Sequence, residues 1–427
     1  MTRPSILLID GAEREAWYAP LVNLIPARWT SGASSRLLDK AAEIDLAVVS
    51  DERALPHAVD AVCRLAEQSV PVLHVLDGIL EWRNTWENPT FTLASEPATP
   101  FLQPSLCHKI ACLGRSQARI LESWGNLGKC EVVGLPRLDH LVENAGPFAE
   151  KNRDKPADEF RLLVVTARTP GFTPEQSATV ERSLVDLKKW LDRHPTLAGR
   201  AVRATWRLTG ELARRIGVDN QLGDVFGGEL LDILPHFDAM ITTPSTAQLE
   251  GMLAGLPVAL LDYHNRPHYV EAAWNVTAET HLEQIVHELA EPPAERMLYQ
   301  DTLLHDSLEC RSPAAPRMVR LVDEMIRLGR ECRASGRPLE LPCCILTDLQ
   351  DGHHWPESRF DYRELYPDHP VFGRPDQREL QMEVAQLRRV IARQGVLETH
   401  PLWGPALRLR RRMKRFFGRI RPGGRDA

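Results

Sequence analysis

The sequence predicts an α/β protein: two Rossmann-like domains facing across a cleft, followed by a helical C-terminal extension. Two observations predict the paired domains, namely two successive blocks in which short apolar runs alternate with helical patterns, and one polar linker between them. A third, the shift to Pro, His, Asp and Tyr after about Leu341, separates the extension. The length of 427 residues suits two or three domains. Apolar residues at 43% and charged residues at 26% are ordinary for a globular chain and argue against general disorder.

In the first block, residues 1–145, Ser5–Ile9, Leu46–Ser50, Val70–Leu76, Lys109–Leu113 and Glu131–Val133 read as buried strands. Leu55–Gln68 and Ser116–Trp124 read as helices between them. Alternation of this kind predicts a parallel sheet, because right-handed crossovers place helices on its faces. Asn144–Ala157 is the linker. The second block, residues 158–340, has strands at Phe160–Thr166, Ala201–Trp206, Ala239–Thr242 and Val258–Leu261. Thr173 and Gln176 form a capping box around Pro174 and open a helix to about Leu191. Ser245–Ala254 is a helix closed by Gly255. Open α/β sheets bind ligands beyond the carboxyl ends of their strands, so the cleft is the expected site. Residues 341–375 read as an irregular polar segment and 376–427 as a helical extension. Within it, Asp376–Ala392 repeats Leu380, Val384, Leu387 and Ile391 at heptad spacing, which suits a helix packed on its own protein or a short coiled coil.

Eight cysteines lack any CxxC spacing, and reduced thiols of a cytoplasmic protein are expected. The N-terminal apolar run is too short for a signal peptide, and no stretch approaches the roughly 20 apolar residues of a membrane span. The net charge of −6 disfavours nucleic acid, but it is unevenly spread. Residues 408–427 carry nine Arg or Lys against one Asp. There Leu409, Met413, Phe416, Phe417 and Ile420 recur at helical spacing among Arg411, Arg412, Lys414 and other basic residues, with Trp403 upstream. Such a helix is expected to lie on anionic lipid, each basic residue contributing about 1 kcal/mol. An acidic partner or a nucleic-acid tail are the alternatives.

Candidate chemistry lies at several places along the chain. Ser245 and Thr246 begin a helix at the end of a strand, where unpaired amides and hydroxyls suit a diphosphate; Ser245 as a simple N-cap is the alternative. Glu250, one turn on, reads either as a contact to a sugar hydroxyl or as a solvated face. Arg168 directly follows a strand, placed to grip phosphate or to form a surface ion pair. Arg137 reads as a cleft residue or as a tie between the lobes through Asp139. In the first lobe Asp77 ends a buried strand before Gly78, with Glu81 beyond. Transfer to a hydroxyl needs a base to take its proton, and Asp77 is the first candidate, Glu81 the second, with a helix cap or ion pair as the competing role for Asp77. Asp10 ends the first strand and is a third choice. His264 and His268 are cleft-lining candidates, Pro267 between them disfavouring a shared helical face. His353-His354 suits no shared metal, and no Asp-x-Asp motif stands in a suitable context. Metal-independent chemistry with no resident cofactor is expected.

Three segments carry a family resemblance. Glu250 followed by Gly255-Leu-Pro257 resembles the nucleotide-binding stretch of glycosyltransferases with the GT-B fold. Gly134, Pro136, Arg137 and Asp139 resemble a turn of CDP-glycerol glycerophosphotransferases and related capsule enzymes. Val164-Val-Thr-Ala-Arg168 is similar to the opening of the donor domain in that group. Together they span about residues 70–270 in the family's order. The resemblance implies phosphate contacts from Thr166, Arg168, Ser245 and Thr246, and a nucleoside or sugar contact from Glu250. It implies a nucleotide sugar as donor substrate and a glycan or lipid-linked acceptor. It further implies building of a bacterial-type surface polysaccharide at the cytoplasmic face of the membrane. Polyol-phosphate transfer, nucleotide-sugar 2-epimerisation and a non-catalytic scaffold are the competing readings. Where that group has a histidine-glycine pair at the first-lobe strand end, this chain has Asp77-Gly78.

Overall fold

The computed structural model describes residues 3–347 apart from 11–14, 33–37, 39, 51–55, 77, 90–101, 144–157 and 220–229. Six short strands form the first sheet: β1 (Ser5–Leu8), β2 (Arg28–Ser31), β3 (Leu46–Val49), β4 (Val72–Val75), β5 (Lys109–Cys112) and β6 (Cys130–Val132). Their order is β2-β1-β3-β4-β5-β6, and every pairing is parallel. Continuous apolar runs such as Leu46-Ala-Val-Val49 form these strands because helices cover both sheet faces, leaving no solvent side for polar alternation. The covering helices are α1 (Glu15–Leu24), α2 (Pro56–Glu67), α3 (Arg115–Leu121) and α4 (Asp139–Glu143).

The second sheet contains β7 (Glu159–Val165), β8 (Thr196–Leu197), β9 (Arg200–Arg207), β10 (Ala239–Thr242), β11 (Val258–Leu261) and β12 (Trp274–Val276). Its order is β12-β11-β10-β7-β9-β8, parallel except for the hairpin β8–β9. Its helices are α5 (Pro174–Arg193), α6 (Gly210–Ile216), α7 (Leu230–Ile233), α8 (Ala247–Leu253), α9 (Leu282–Ala290) and α10 (Ala294–Ser307). Thr173 caps α5 as its sequence predicts, its hydroxyl accepting from Gln176 N at 3.3 Å. The Gln176 side chain accepts from Phe172 N instead of completing the box at Thr173. Each sheet reverses its strand order once, between β1 and β3 and between β7 and β10, and such a switch point opens a crevice at the strand ends. The chain is thus α/β with two Rossmann-like lobes, the fold class that its alternating blocks predict.

One boundary is corrected. The sequence assigns residues up to 340 to the second lobe, but α11 (Ala315–Ala334) returns to the first. Met318, Leu321, Val322, Met325 and Ile326 pack in one core with Ile6, Leu8, Leu46, Val48 and Leu73. Each such buried side chain contributes about 1.5–3 kcal/mol. Asp139 fixes the helix start, its carboxylate accepting from Ala314 N at 2.6 Å and Ala315 N at 2.8 Å. At the other end Arg330 grips Asp45 through two bonds of 2.7 Å. Residues 343–346 then continue along the base of β5 and β6, held by the buried Lys109–Glu131 ion pair at 2.6 Å. Lys109 Nζ donates to Cys343 O, and Glu131 accepts from Ile345 N and Leu346 N. The heptad segment, His353-His354 and the basic segment lie outside the described residues. No helix among those described is long and apolar enough to cross a membrane.

Candidate functional site

The carboxyl end of β4 in the first lobe meets the start of α8 in the second. Ile79 N donates to Thr246 Oγ1 at 3.2 Å. Gly78 permits this approach, since a Cβ there would stand 2.1 Å from that oxygen. Asp77 itself lies outside the described residues. Thr246, not Ser245, is the N-cap residue of α8, and neither hydroxyl caps the helix. Ser245 Oγ instead lies 3.3 Å from Thr242 Oγ1. The helix is shorter than its sequence predicts, starting at Ala247, and its entry is a tight turn in which the Ser245 and Thr246 carbonyls accept from the amides of Gln248 and Leu249.

Beside this contact, Thr166 follows β7 at the second lobe's switch point. Its Oγ1 is buried and has no hydrogen-bond partner among the described residues, a cost that a bound polar ligand would remove. Ala167 N donates to Thr243 Oγ1 at 2.9 Å, closing the turn. Arg168 is exposed, and among the described residues no ion pair occupies it. In the first lobe Asp10 follows β1 at the equivalent switch point. Its Oδ2 accepts from Ser50 N at 2.8 Å and Ser50 Oγ at 2.6 Å, which ties the ends of β1 and β3 together.

Glu250 is neither solvated nor open. It is buried and forms an ion pair of 2.6 Å with Arg137 of the first lobe. Arg137 does tie the lobes, though through Glu250, because Asp139 spends both oxygens on α11.

A second cluster joins the lobes around Glu81 and His264. Arg83, only 2% exposed, forms an ion pair with Glu81 in its own lobe. Across the cleft, its Nη1 donates to Pro170 O at 3.1 Å and lies 3.0 Å from His264 Nδ1. Asp262 receives both imidazoles, with His264 Nδ1 at 2.8 Å from Oδ1 and His268 Nε2 at 2.9 Å from Oδ2. These histidines therefore meet through a carboxylate, not on a helical face. Burial raises the Glu81 carboxyl above its ordinary value, although Arg83 pulls it back. Burial pushes Asp262 up as well, but bonds from His264 and His268 with the charge of Arg83 outweigh it, holding the carboxylate well below its usual range. Two carboxyls of opposite tendency in one cluster are suited to separate acid and base work.

Sequence reading missed Arg83, Asp262 and the aromatic group beside them. Trp82, Trp86 and Trp124 of the first lobe pack around Tyr269 of the second, with ring centroids 5.6–6.0 Å apart along the ring of four. Trp86 Nε1 donates to Tyr269 Oη at 2.7 Å. The only available signal was the density of Trp after β4, at Trp82 and Trp86. The membrane candidates Trp403, Arg411, Arg412, Lys414, Phe416 and Phe417 lie outside the described residues.

No family model matches the chain, and no curated protein matches its sequence. Among solved structures, a putative UDP-N-acetylglucosamine 2-epimerase from Listeria monocytogenes is similar at 14% identity, with 76% of this chain and 96% of that one covered and a TM-score of 0.45. The wall teichoic acid polymerase TagF is similar at 11% identity, with 76% and 89% covered and a TM-score of 0.46. The MnaA–UDP complex from S. aureus is similar at 14% identity, with 77% and 98% covered and a TM-score of 0.47. These are likenesses of chain path alone.

Proposed function

We propose that the cleft binds a nucleotide-activated donor and that the protein is a glycosyltransferase extending a surface polysaccharide or lipid-linked glycan. The observation that carries this reading is the convergence of Gly78 and Ile79 with Thr246, which brings the two lobes' strand ends to one point. Thr166 and Arg168 would hold the diphosphate with Ser245 and Thr246, the orphaned Thr166 hydroxyl and the exposed guanidinium being the strongest supports. Because α8 has only seven residues, its dipole contributes less than these side chains. Asp77 is the first candidate to take the acceptor's proton and Glu81 the second. Interaction of the segment around Phe416 and Phe417 with anionic lipid would bring a lipid-linked acceptor within reach.

The test is calorimetric titration with UDP, CDP, CMP and GDP, followed by incubation of the matching sugar donor with membrane acceptors. Saturable binding of one nucleotide and acceptor-dependent release of it support the reading. With a CDP-polyol as donor instead, transfer of the polyol phosphate with release of CMP identifies the phosphotransfer variant, and binding of none of the nucleotides leaves only a scaffold.

The opposed tendencies of Glu81 and Asp262 favour one further reading, a nucleotide-sugar 2-epimerase, whose chemistry needs both an acid and a base. Conversion of the donor to its epimer without any acceptor would select it.

A further inference from the structure

Residues 343–346 form a strap fastened to a buried charge pair at the amino ends of β5 and β6. Lys109 and Glu131 are each 1% exposed and bonded at 2.6 Å. All three hydrogens of Lys109 Nζ are placed, on Glu131 Oε1, on Gly128 O at 3.0 Å and on Cys343 O at 3.1 Å. Glu131 in turn accepts from Ile345 N at 2.8 Å and Leu346 N at 3.0 Å.

The strap carries two adjacent cysteines, both free thiols. Cys343 is exposed, and its sulfur lies over Gly128, where a Cβ would stand 3.3 Å from it. Cys344 is turned inward, its thiol donating to Glu131 Oε2 at 3.9 Å. The carbonyl that Lys109 holds belongs to the peptide between these two cysteines. A bond between the sulfurs would close a small ring through that peptide. The ring cannot close while one sulfur faces solvent and the other a buried carboxylate, so the peptide must rotate. Rotation draws the carbonyl off Lys109 and the inward thiol off Glu131. An ammonium hydrogen left without an acceptor in so buried a site is costly, which sets the fastened strap and the closed ring against each other.

We propose that Cys343 and Cys344 are an oxidation site for peroxides, where formation of a vicinal disulfide unfastens the strap from Lys109 and Glu131. Cys343, as thiolate, attacks one peroxide oxygen; the O–O bond breaks, and the leaving hydroxide takes a proton to become water. The Cys344 sulfur then attacks the sulfenic sulfur, the S–O bond breaks, and the hydroxide departs as water with the proton of Cys344. Two thiols are oxidised and one peroxide is reduced to two waters. Adjacent Cα atoms lie about 3.8 Å apart, closer than the usual disulfide span of about 4.4–6.8 Å, so the bond is strained and a small thiol reduces it again. The site lies at the opposite ends of the strands from Thr246 and does not depend on the donor reading.

The test treats the full chain with hydrogen peroxide, blocks free thiols with N-ethylmaleimide and weighs the peptide spanning Cys343 and Cys344. The expected product lacks the mass of two hydrogens, takes up no maleimide there and is restored by dithiothreitol. Cys63, exposed but with no adjacent cysteine, should give no such product. Amide exchange at Ile345 and Leu346 should quicken at least ~5-fold on oxidation, one hydrogen bond's worth of protection. Cys344→Ser keeps the exposed thiol but cannot close the ring, and peroxide should leave its exchange unchanged. In glutathione buffers, Glu131→Gln, with its weaker fastening, should be half oxidised at a ~5-fold more reducing ratio than wild type. Cys343 untouched, Cys343 oxidised without a ring, or a ring that leaves exchange at Ile345 and Leu346 unchanged would each overturn the proposal. All three results are read on the wild-type chain, so misfolding of a variant cannot mimic them.

Discussion

Thr246 of the second lobe accepts a hydrogen bond from Ile79 of the first, at the point where Gly78 has no side chain to keep them apart. An N-cap hydroxyl normally serves its own helix, and here it is turned across the cleft instead. The hydroxyl that would otherwise cap the helix thus joins the two lobes.

Lys109→Met should destabilise the protein by about 3 kcal/mol or more, because it strands the Glu131 carboxylate in a fully buried site. Glu131→Gln should cost less, since an amide oxygen still accepts from Ile345 N or Leu346 N. Urea denaturation measures both. Cleavage by trypsin beyond residue 340 should accelerate in Lys109→Met, whose loss frees the Cys343 carbonyl.

His108 makes stability depend on pH. Its Nδ1 accepts from Val72 N at 3.1 Å, and burial with the nearby Lys129 charge lowers its pKa to about 4. The unfolded imidazole takes a proton near pH 6.5, whereas the folded one stays neutral until about pH 4. Its contribution is therefore fully present above pH 6.5 and declines as pH falls from there to about 4. The slope approaches about 1.4 kcal/mol per pH unit. His108→Asn should flatten the melting temperature across that window.

Asp77→Asn should lower turnover by at least ~100-fold, the low end of general-base contributions, once a donor and acceptor are identified. A fall below ~10-fold would exclude Asp77 and pass the role to Glu81. In that case Glu81→Gln carries the large loss, and the limb of the rate profile that it controls is shifted upward from that of an ordinary glutamate.

Deleting residues 402–427 should abolish flotation with liposomes containing anionic lipid while leaving nucleotide affinity unchanged. Flotation that survives the deletion would contradict a membrane role for Phe416, Phe417 and the surrounding arginines.

Much of the fold was legible because its strands are buried on both faces and so read as unbroken apolar runs, as in Leu46-Ala-Val-Val49. The edge strand β2 was not, since Arg28-Trp-Thr-Ser31 is partly exposed and has no such run. α11 shows a clear amphipathic helix, but nothing local says which lobe its apolar face will cover. At the candidate site, Thr166, Ser245 and Thr246 could be singled out because each follows a strand or opens a helix, and Glu250 because it precedes Gly255-Leu-Pro257. Partner identity was illegible: Arg137 stands near Asp139 in sequence yet pairs with Glu250, 113 positions away. Arg83 and Tyr269 carry no motif at all, and only the meeting of the lobes gives them a role.

If Thr166, Arg168, Ser245 and Thr246 hold a nucleoside diphosphate beside Gly78, amide hydrogen exchange with and without UDP, CDP and GDP will locate it there. Binding at that point predicts altered exchange in peptides covering residues 78–80, 166–168 and 245–250 with one of the three nucleotides. Exchange that changes only elsewhere, or with none of them, would contradict the account.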